Sequence, residues 1–187
     1  MINNYNTVFK NTFSKKRCNN LIDKFEQNKQ LYEDIFISDN KWNKKFTQIN
    51  FNKHKEFQEE NDFLLKLFLE AIYAYKKENK IQNIQWPDKF ILEPIRMKRY
   101  LPNTSDRFDS HVDVTDIDSS RRFLVMFIYL NDDFTGGETV FDDFGQTVKP
   151  IQGNMLLFPP LWTHLHTANK VEGKSPKYIV GTFMHYV

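Results

Sequence analysis

From 91 to 186 the chain is a run of short strand-like segments, each closed by turn-forming residues. The segments are 91–101, 108–114, 123–130, 138–141, 146–149, 154–158, 162–167 and 176–186. Pro102-Asn103, Asn131-Asp132-Asp133, Gly136-Gly137, Asp142-Asp143, Pro150, Gly153 and Pro159-Pro160 separate them. Proline removes a ladder donor and glycine frees the backbone, so both punctuate strands rather than continue them. About eight short strands at this spacing have to close on themselves or on a second sheet, which means a sandwich or a barrel.

The preceding ninety or so residues have a different rhythm. Ser14 is placed to cap a helix running to about Asn28, with Cys18, Leu21, Ile22 and Phe25 on one face. A longer helix is expected from about Phe57 to Glu78, where Leu64, Leu65, Phe68, Leu69, Ile72 and Tyr75 recur at intervals of three and four. Between the helices, 31–37 and 45–51 alternate like strands. Helices at one end of the chain that cover a sheet give an α+β layout. At 187 residues the chain is long enough for one domain with a sizeable core and short for two. The expectation is therefore a single domain over 1–187, with 1–90 as helical support and edge strands and 91–187 as the β core.

Composition excludes some functions. The net charge is +2 with both signs interspersed, so no basic stripe for nucleic acid is visible. Lys15-Lys16-Arg17 and Lys44-Lys45 read as solvated faces. Cys18 is the only cysteine, so neither an internal disulfide nor a cysteine metal site is available. No stretch has the length of a membrane span, and residues 1–10 lack the apolar run of a signal peptide. The expected setting is soluble, intracellular and reducing, hence cytoplasmic.

One pair of residues carries chemistry. His111 and Asp113 are two apart, and in extended backbone positions i and i+2 share a face, so an imidazole and a carboxylate can reach one ion. A second histidine would complete a two-His-one-carboxylate triad, the donor set of non-haem Fe(II) oxygenases, which leaves positions open for other ligands. His164 and His166 are the candidates for it. Alone, His-x-Asp is a weak signal, since a polar loop such as Ser105-Asp106-Arg107 often precedes an ordinary surface histidine.

The surrounding pattern is more specific. Tyr100 precedes the pair, and Arg122 leads an apolar strand ending in Tyr129-Leu130-Asn131-Asp132. Gly136-Gly137-Glu138-Thr139-Val140-Phe141 follows, then Pro150-Ile151-Gln152-Gly153 before Leu157-Phe158, then His166, then Lys177-Tyr178-Ile179. In this order the elements resemble the prolyl-4-hydroxylase-like branch of the 2-oxoglutarate/Fe(II)-dependent oxygenases, over about Ile95 to the C-terminus. The spacing to Lys177 and the Thr167-Ala168 and Val171 that follow favour His166 over His164 as the second histidine. His164 is kept as a candidate behind the ligands or on the substrate side. His54 and His185 have no such company.

The resemblance implies a double-stranded β-helix, or jelly-roll, with His111, Asp113 and His166 as metal ligands and catalytic centre. It implies Lys177 as partner of the distal 2-oxoglutarate carboxylate, assisted by Tyr100. The implied activity is hydroxylation of an unactivated C–H bond with Fe(II), 2-oxoglutarate and O₂, with ascorbate as a candidate reductant. Peptidyl proline is the leading substrate, and a free amino acid or small metabolite is the alternative. A nucleic-acid demethylase is disfavoured because no arginine follows Arg122. A non-catalytic jelly-roll module is disfavoured because every implied ligand is present. The chain departs from the family pattern in a longer loop between Tyr100 and His111, in Val125 where Thr is frequent, and in Phe183 where Trp is common. Phe108, Phe127 and Phe183 are candidates to line the cavity.

Overall fold

A computed structural model of the chain describes residues 4–38 and 43–187. Strand β1 (Thr7–Phe9) leads into helix α1 (Lys15–Gln27), the hairpin β2 (Glu33–Ser38) and β3 (Asn43–Asn50), and helix α2 (Gln58–Glu78). Then come β4 (Phe90–Leu92), β5 (Arg96–Tyr100), β6 (Arg107–His111) and β7 (Arg122–Tyr129). The chain ends with β8 (Thr135–Gly136), β9 (Thr139–Phe141), β10 (Gln146–Val148), β11 (Met155–Phe158), β12 (His166–Ala168), β13 (Val171–Glu172) and β14 (Lys177–Tyr186).

Twelve strands form one antiparallel sheet, along the path β1-β11-β7-β14-β5-β3-β6-β12-β9-β10, with β2 on β3 and β4 on β14. Strand β3 bends the sheet on itself. Its Thr47–Asn50 half pairs with β5, while Lys44 and Lys45 pair with β6. A wide wall, β1-β11-β7-β14-β5, therefore faces a narrow one, β6-β12-β9-β10. This curled arrangement is the jelly-roll architecture expected from sequence.

The two helices cover the outer face of the wide wall. Ser14 Oγ accepts from the Arg17 N–H at 3.3 Å and so starts α1. α1 then buries Cys18, Leu21 and Phe25, and α2 buries Leu64, Phe68, Ile72 and Tyr75. They pack on Met97, Leu124, Met126, Ile128, Met155, Leu157 and Val180. The intervening residues of the same strands point the other way, into the space between the walls: Tyr100, Val125, Tyr129, Leu156, Phe158 and Ile179. A sheet buried on both faces needs apolar residues at both parities, which is why β7 and β11 read as continuous apolar runs rather than alternations. Burial of each Leu, Ile or Phe contributes about 1.5–3 kcal/mol, so the helix layer is a large share of the fold's stability.

Several boundaries differ from the sequence expectation. The strand expected over 91–101 is two strands, because Pro94 has no N–H to donate and restricts Glu93 before it. The strand expected over 108–114 ends at His111, and the Asp113 N–H turns away to the Pro160 carbonyl at 3.2 Å. The strand expected over 162–167 is only His166–Ala168; Trp162 is exposed in a turn closed by the His164 N–H on the Leu161 carbonyl at 2.9 Å. Leu31 belongs to a short 3-10 turn rather than to β2. Cys18 is fully buried, and burial pushes its thiol up to about 11, so it behaves as a small hydrophobe. Lys15, Lys16 and Arg17 are solvated as expected, but Lys44 is not: it is half-buried, with its ammonium over the Phe108 ring at 4.8 Å.

Candidate metal centre

The narrow wall carries two histidines side by side. Antiparallel pairing of β6 and β12 sets His111 opposite His166, with ring centroids 4.2 Å apart. Asp113 lies in the bend beyond β6 instead of on the strand. It still reaches both rings, because the Pro160 carbonyl holds its N–H and Arg122 Nη1 donates to its carbonyl at 2.9 Å. Asp113 Oδ1 is 3.7 Å from His111 Nε2, and Oδ2 is 3.7 Å from His166 Nε2. One nitrogen or oxygen from each residue lies within 4.8 Å of the others, and all three side chains are largely buried.

The protonation pattern suits a cation. His111 Nδ1 donates to the Asp109 carbonyl at 2.7 Å, and His166 Nδ1 to the His164 carbonyl at 2.9 Å. A carbonyl only accepts, so each ring keeps its proton on Nδ1 and offers the Nε2 lone pair to the centre. Burial pushes His166 down to about 4, against the pull of Asp113, so the ring is neutral at physiological pH. Burial alone would raise the Asp113 carboxyl, but the contact with His111 and the proximity of His166 and Lys98 hold it well below the usual carboxylate range. Gaps of 3.7 Å are too long for hydrogen bonds and suit donors arranged about an ion roughly 2 Å from each. Two imidazoles and one carboxylate, all on one side, are the donor set of a facial Fe(II) site.

His164 takes no part with its side chain. Its ring bonds Thr163 Oγ1 and the Asn4 carbonyl, each at 2.8 Å, and faces the N-terminal segment. Its carbonyl is the atom that orients His166. His185 instead meets Glu93 Oε1 at 2.6 Å.

A cavity opens from the metal cluster between the walls. Lys177 lies at its inner end, 2% exposed, with Nζ donating to the Gly137 carbonyl at 2.5 Å. It makes no ion pair with any described residue, and burial lowers its amine to about 8. The Tyr100 and Tyr129 rings flank it, both centroids 5.5 Å from Nζ. Tyr100 is opposite Lys177 in the β5–β14 register, and burial raises its phenol, which stays a protonated donor. Gly137 has φ +69°, and a Cβ there would meet the Phe134 ring at 2.8 Å and Lys177 Cδ at 3.1 Å. Only glycine lets the carbonyl approach the ammonium this way. Phe108, Phe127 and Phe183 all line the cavity, and Phe108 stacks on His111 with centroids 3.3 Å apart.

Sequence reasoning missed the charged wall of β5. Arg96 and Lys98 share the cavity face with Tyr100 by strand alternation. Buried Glu93 holds Arg96 Nη1 at 2.8 Å and Arg122 Nε at 2.7 Å. The alternation of 96, 98 and 100 was the available signal. It was obscured because Met97 and Arg99 on the other face also left the segment mixed.

Comparison with known proteins agrees with this geometry. The sequence profile of the 2OG-Fe(II) oxygenase superfamily matches residues 95–185. The chain is also similar to a protein of Acanthamoeba polyphaga mimivirus named "Putative prolyl 4-hydroxylase", 36% identical over 77 residues. That stretch is 37% of this chain and 32% of the mimivirus protein, so the chain spans about a third of the length of the curated relative it matches. In fold, the chain is similar to the viral collagen prolyl hydroxylase of Paramecium Bursaria Chlorella virus-1 in its 2OG complex (TM-score 0.68, 21% identity, 98% of this chain and 96% of that one). It is also similar to a Trichoplax adhaerens prolyl hydroxylase bound to a hypoxia inducible factor peptide fragment (TM-score 0.72, 12% identity, 97% and 84% covered).

Proposed function

We propose that this chain is a 2-oxoglutarate-dependent oxygenase that hydroxylates prolyl residues in a peptide, with His111, Asp113 and His166 as iron ligands. The observation that carries the reading is the convergence of these three donors at the mouth of a cavity whose far end holds a buried ammonium that forms no ion pair among the described residues. Residues 1–187 are read as one oxygenase unit, because β1 and β3, which come before residue 90, complete both walls. The prolyl substrate is carried over from the named activities of the similar proteins.

The residues present fit the cofactors. Ferrous iron with 2-oxoglutarate supplies, when bound, the activation of O₂ for C–H hydroxylation, with decarboxylation of the keto acid providing the electrons. Lys177 then supplies the fixed cation for the distal carboxylate, and the protonated phenol of the adjoining Tyr100 is the second donor. The Asp109 and His164 carbonyls hold the imidazoles in place, so the donors need no reorganisation. Phe108, Phe127 and Phe183 keep water from the cavity.

The test is succinate formation from 2-oxoglutarate with the purified chain, with and without Fe(II), followed by mass spectrometry of proline peptides. Iron-dependent succinate and a gain of one oxygen on proline are the expected results. No succinate under any condition would overturn the oxygenase reading. Succinate with oxygen gained on a different residue would overturn the prolyl assignment alone.

A further inference from the structure

Two lysines beside the metal cluster form no ion pair among the described residues. Lys98 lies one pleat outward of Tyr100 on β5, opposite Ile179, and its Nζ is over the Phe46 ring at 5.0 Å. Lys44 on β3 approaches the same ring at 5.3 Å and the Phe108 ring at 4.8 Å. Neither forms an ion pair among the described residues, whereas Arg96 and Arg122 nearby are both held by Glu93. Asp113 is the carboxylate that faces this region, and both imidazoles of the metal cluster already engage it. Two like charges over one aromatic ring repel, and partial burial adds to the cost. Burial and the neighbouring Lys44 push the Lys98 amine down to about 7, as expected for a cation awaiting a partner.

The geometry points to a carboxylate-binding site formed by Lys98 and Lys44, so that the substrate carries an acidic group close to the carbon that is hydroxylated. The inference rests on the oxygenase reading and narrows its substrate. The site borders the cavity of the co-substrate anchor, because Lys98 lines that cavity with Lys177 and Tyr100. Lys44 lines an outer recess with Ile37, Phe108, Asp113 and Arg122, which neither Lys177 nor Tyr100 reaches. Phe108 and the metal cluster border both the recess and the inner cavity. An anion bridging Lys44 and Lys98 therefore spans the recess and the inner cavity beside the iron ligands. The acidic group is either a side chain next to the target residue or the α-carboxylate of a free amino acid; the chemistry is the same.

The test uses the whole chain with Fe(II) and 2-oxoglutarate. Succinate formed without added substrate first decides whether the oxygenase reading stands. Three proline peptides of one length, with Asp, Asn or Lys flanking the proline, are then compared by hydroxylation and by stimulated succinate formation. Free L-proline is compared with L-prolinamide in the same way. The Asp peptide, or L-proline over its amide, is expected to be favoured about ten-fold in kcat/KM, the size of one charge-assisted contact. Whichever pair responds tells a side-chain carboxylate from an α-carboxylate. Lys98→Gln with Lys44→Gln is expected to erase the preference, and Lys98→Glu to shift it toward the Lys peptide, a change that loss of structure does not produce. No preference for the anionic member of either pair, or no response to any probe, overturns the proposal. So does a preference that survives both substitutions, or a Lys98→Gln variant whose only change is a higher KM for 2-oxoglutarate.

Discussion

At the scale of single residues, the site depends on how each group is held. His166→Ala removes one of three donors and leaves Asp113 with a single imidazole. Fe(II)-dependent succinate formation is expected to fall at least about a hundred-fold, given the sensitivity of metal sites to their ligands, while circular dichroism stays native. Lys177 has a pH signature of its own. Its amine is lowered from 10.5 to about 8 in the ligand-free chain, first by burial. A bound dianion favours the ammonium, so above about pH 8 binding requires uptake of a proton. Affinity for 2-oxoglutarate is expected to be flat below that pH and to weaken above it, as measured by calorimetry on the Mn(II)-loaded protein. Stability of the ligand-free chain shifts the other way. The unfolded chain keeps the higher pKa, so between about 8 and 10.5 it binds more protons, and this group's burial cost is relieved as pH rises. A Lys177→Met variant is expected to lose both dependences.

At the scale of elements, glycine and the helix layer set the tolerances. Gly137→Ala places a methyl against Phe134 and Lys177 at a positive φ. It is expected to raise the KM for 2-oxoglutarate more than it lowers kcat, because it displaces the anchor and leaves the metal ligands in place. Helix α2 is attached chiefly through its buried face, and Phe68 is completely buried among α1, α2 and the wide wall. Phe68→Ala is expected to cost about 3–5 kcal/mol in urea unfolding. The exposed Leu69, one residue on, is expected to cost under about 0.5 kcal/mol when changed to Ala, as surface substitutions do.

At the scale of the whole molecule, the proposed metal centre joins the bend at the end of β6 to β12, on a wall already held by ladder hydrogen bonds and by the Phe141 and Phe158 packing. The fold has a core independent of the ion, so chelators are expected to leave the chain folded. Metal at a hundred times its Kd adds about 2.7 kcal/mol by mass action. A melting rise of some degrees on adding Mn(II), absent in His166→Ala, is the expected calorimetric result. No helix among the described residues is long and apolar enough to cross a membrane.

The sequence alone settled what depends on local chemistry and short-range order. Ser14 marks the start of α1, the three-and-four spacing marks α2, and turn residues mark the strands. The His111, Asp113, His166 and Lys177 pattern is legible because each motif is short and occurs in family order. Tertiary structure decided what depends on residues distant along the chain. Pairing of β6 with β12 set His111 against His166, a relation that no spacing over such a separation encodes. The bend that brings Asp113 to both rings is made by Pro160 and Arg122, from two other segments, and it replaces the strand that alternation alone predicted. The free charge of Lys98 and Lys44 also became visible only there. A lysine in a sequence reads as solvated, and only the folding of β3 across both walls shows that these two approach the one Phe46 ring without an ion pair among the described residues.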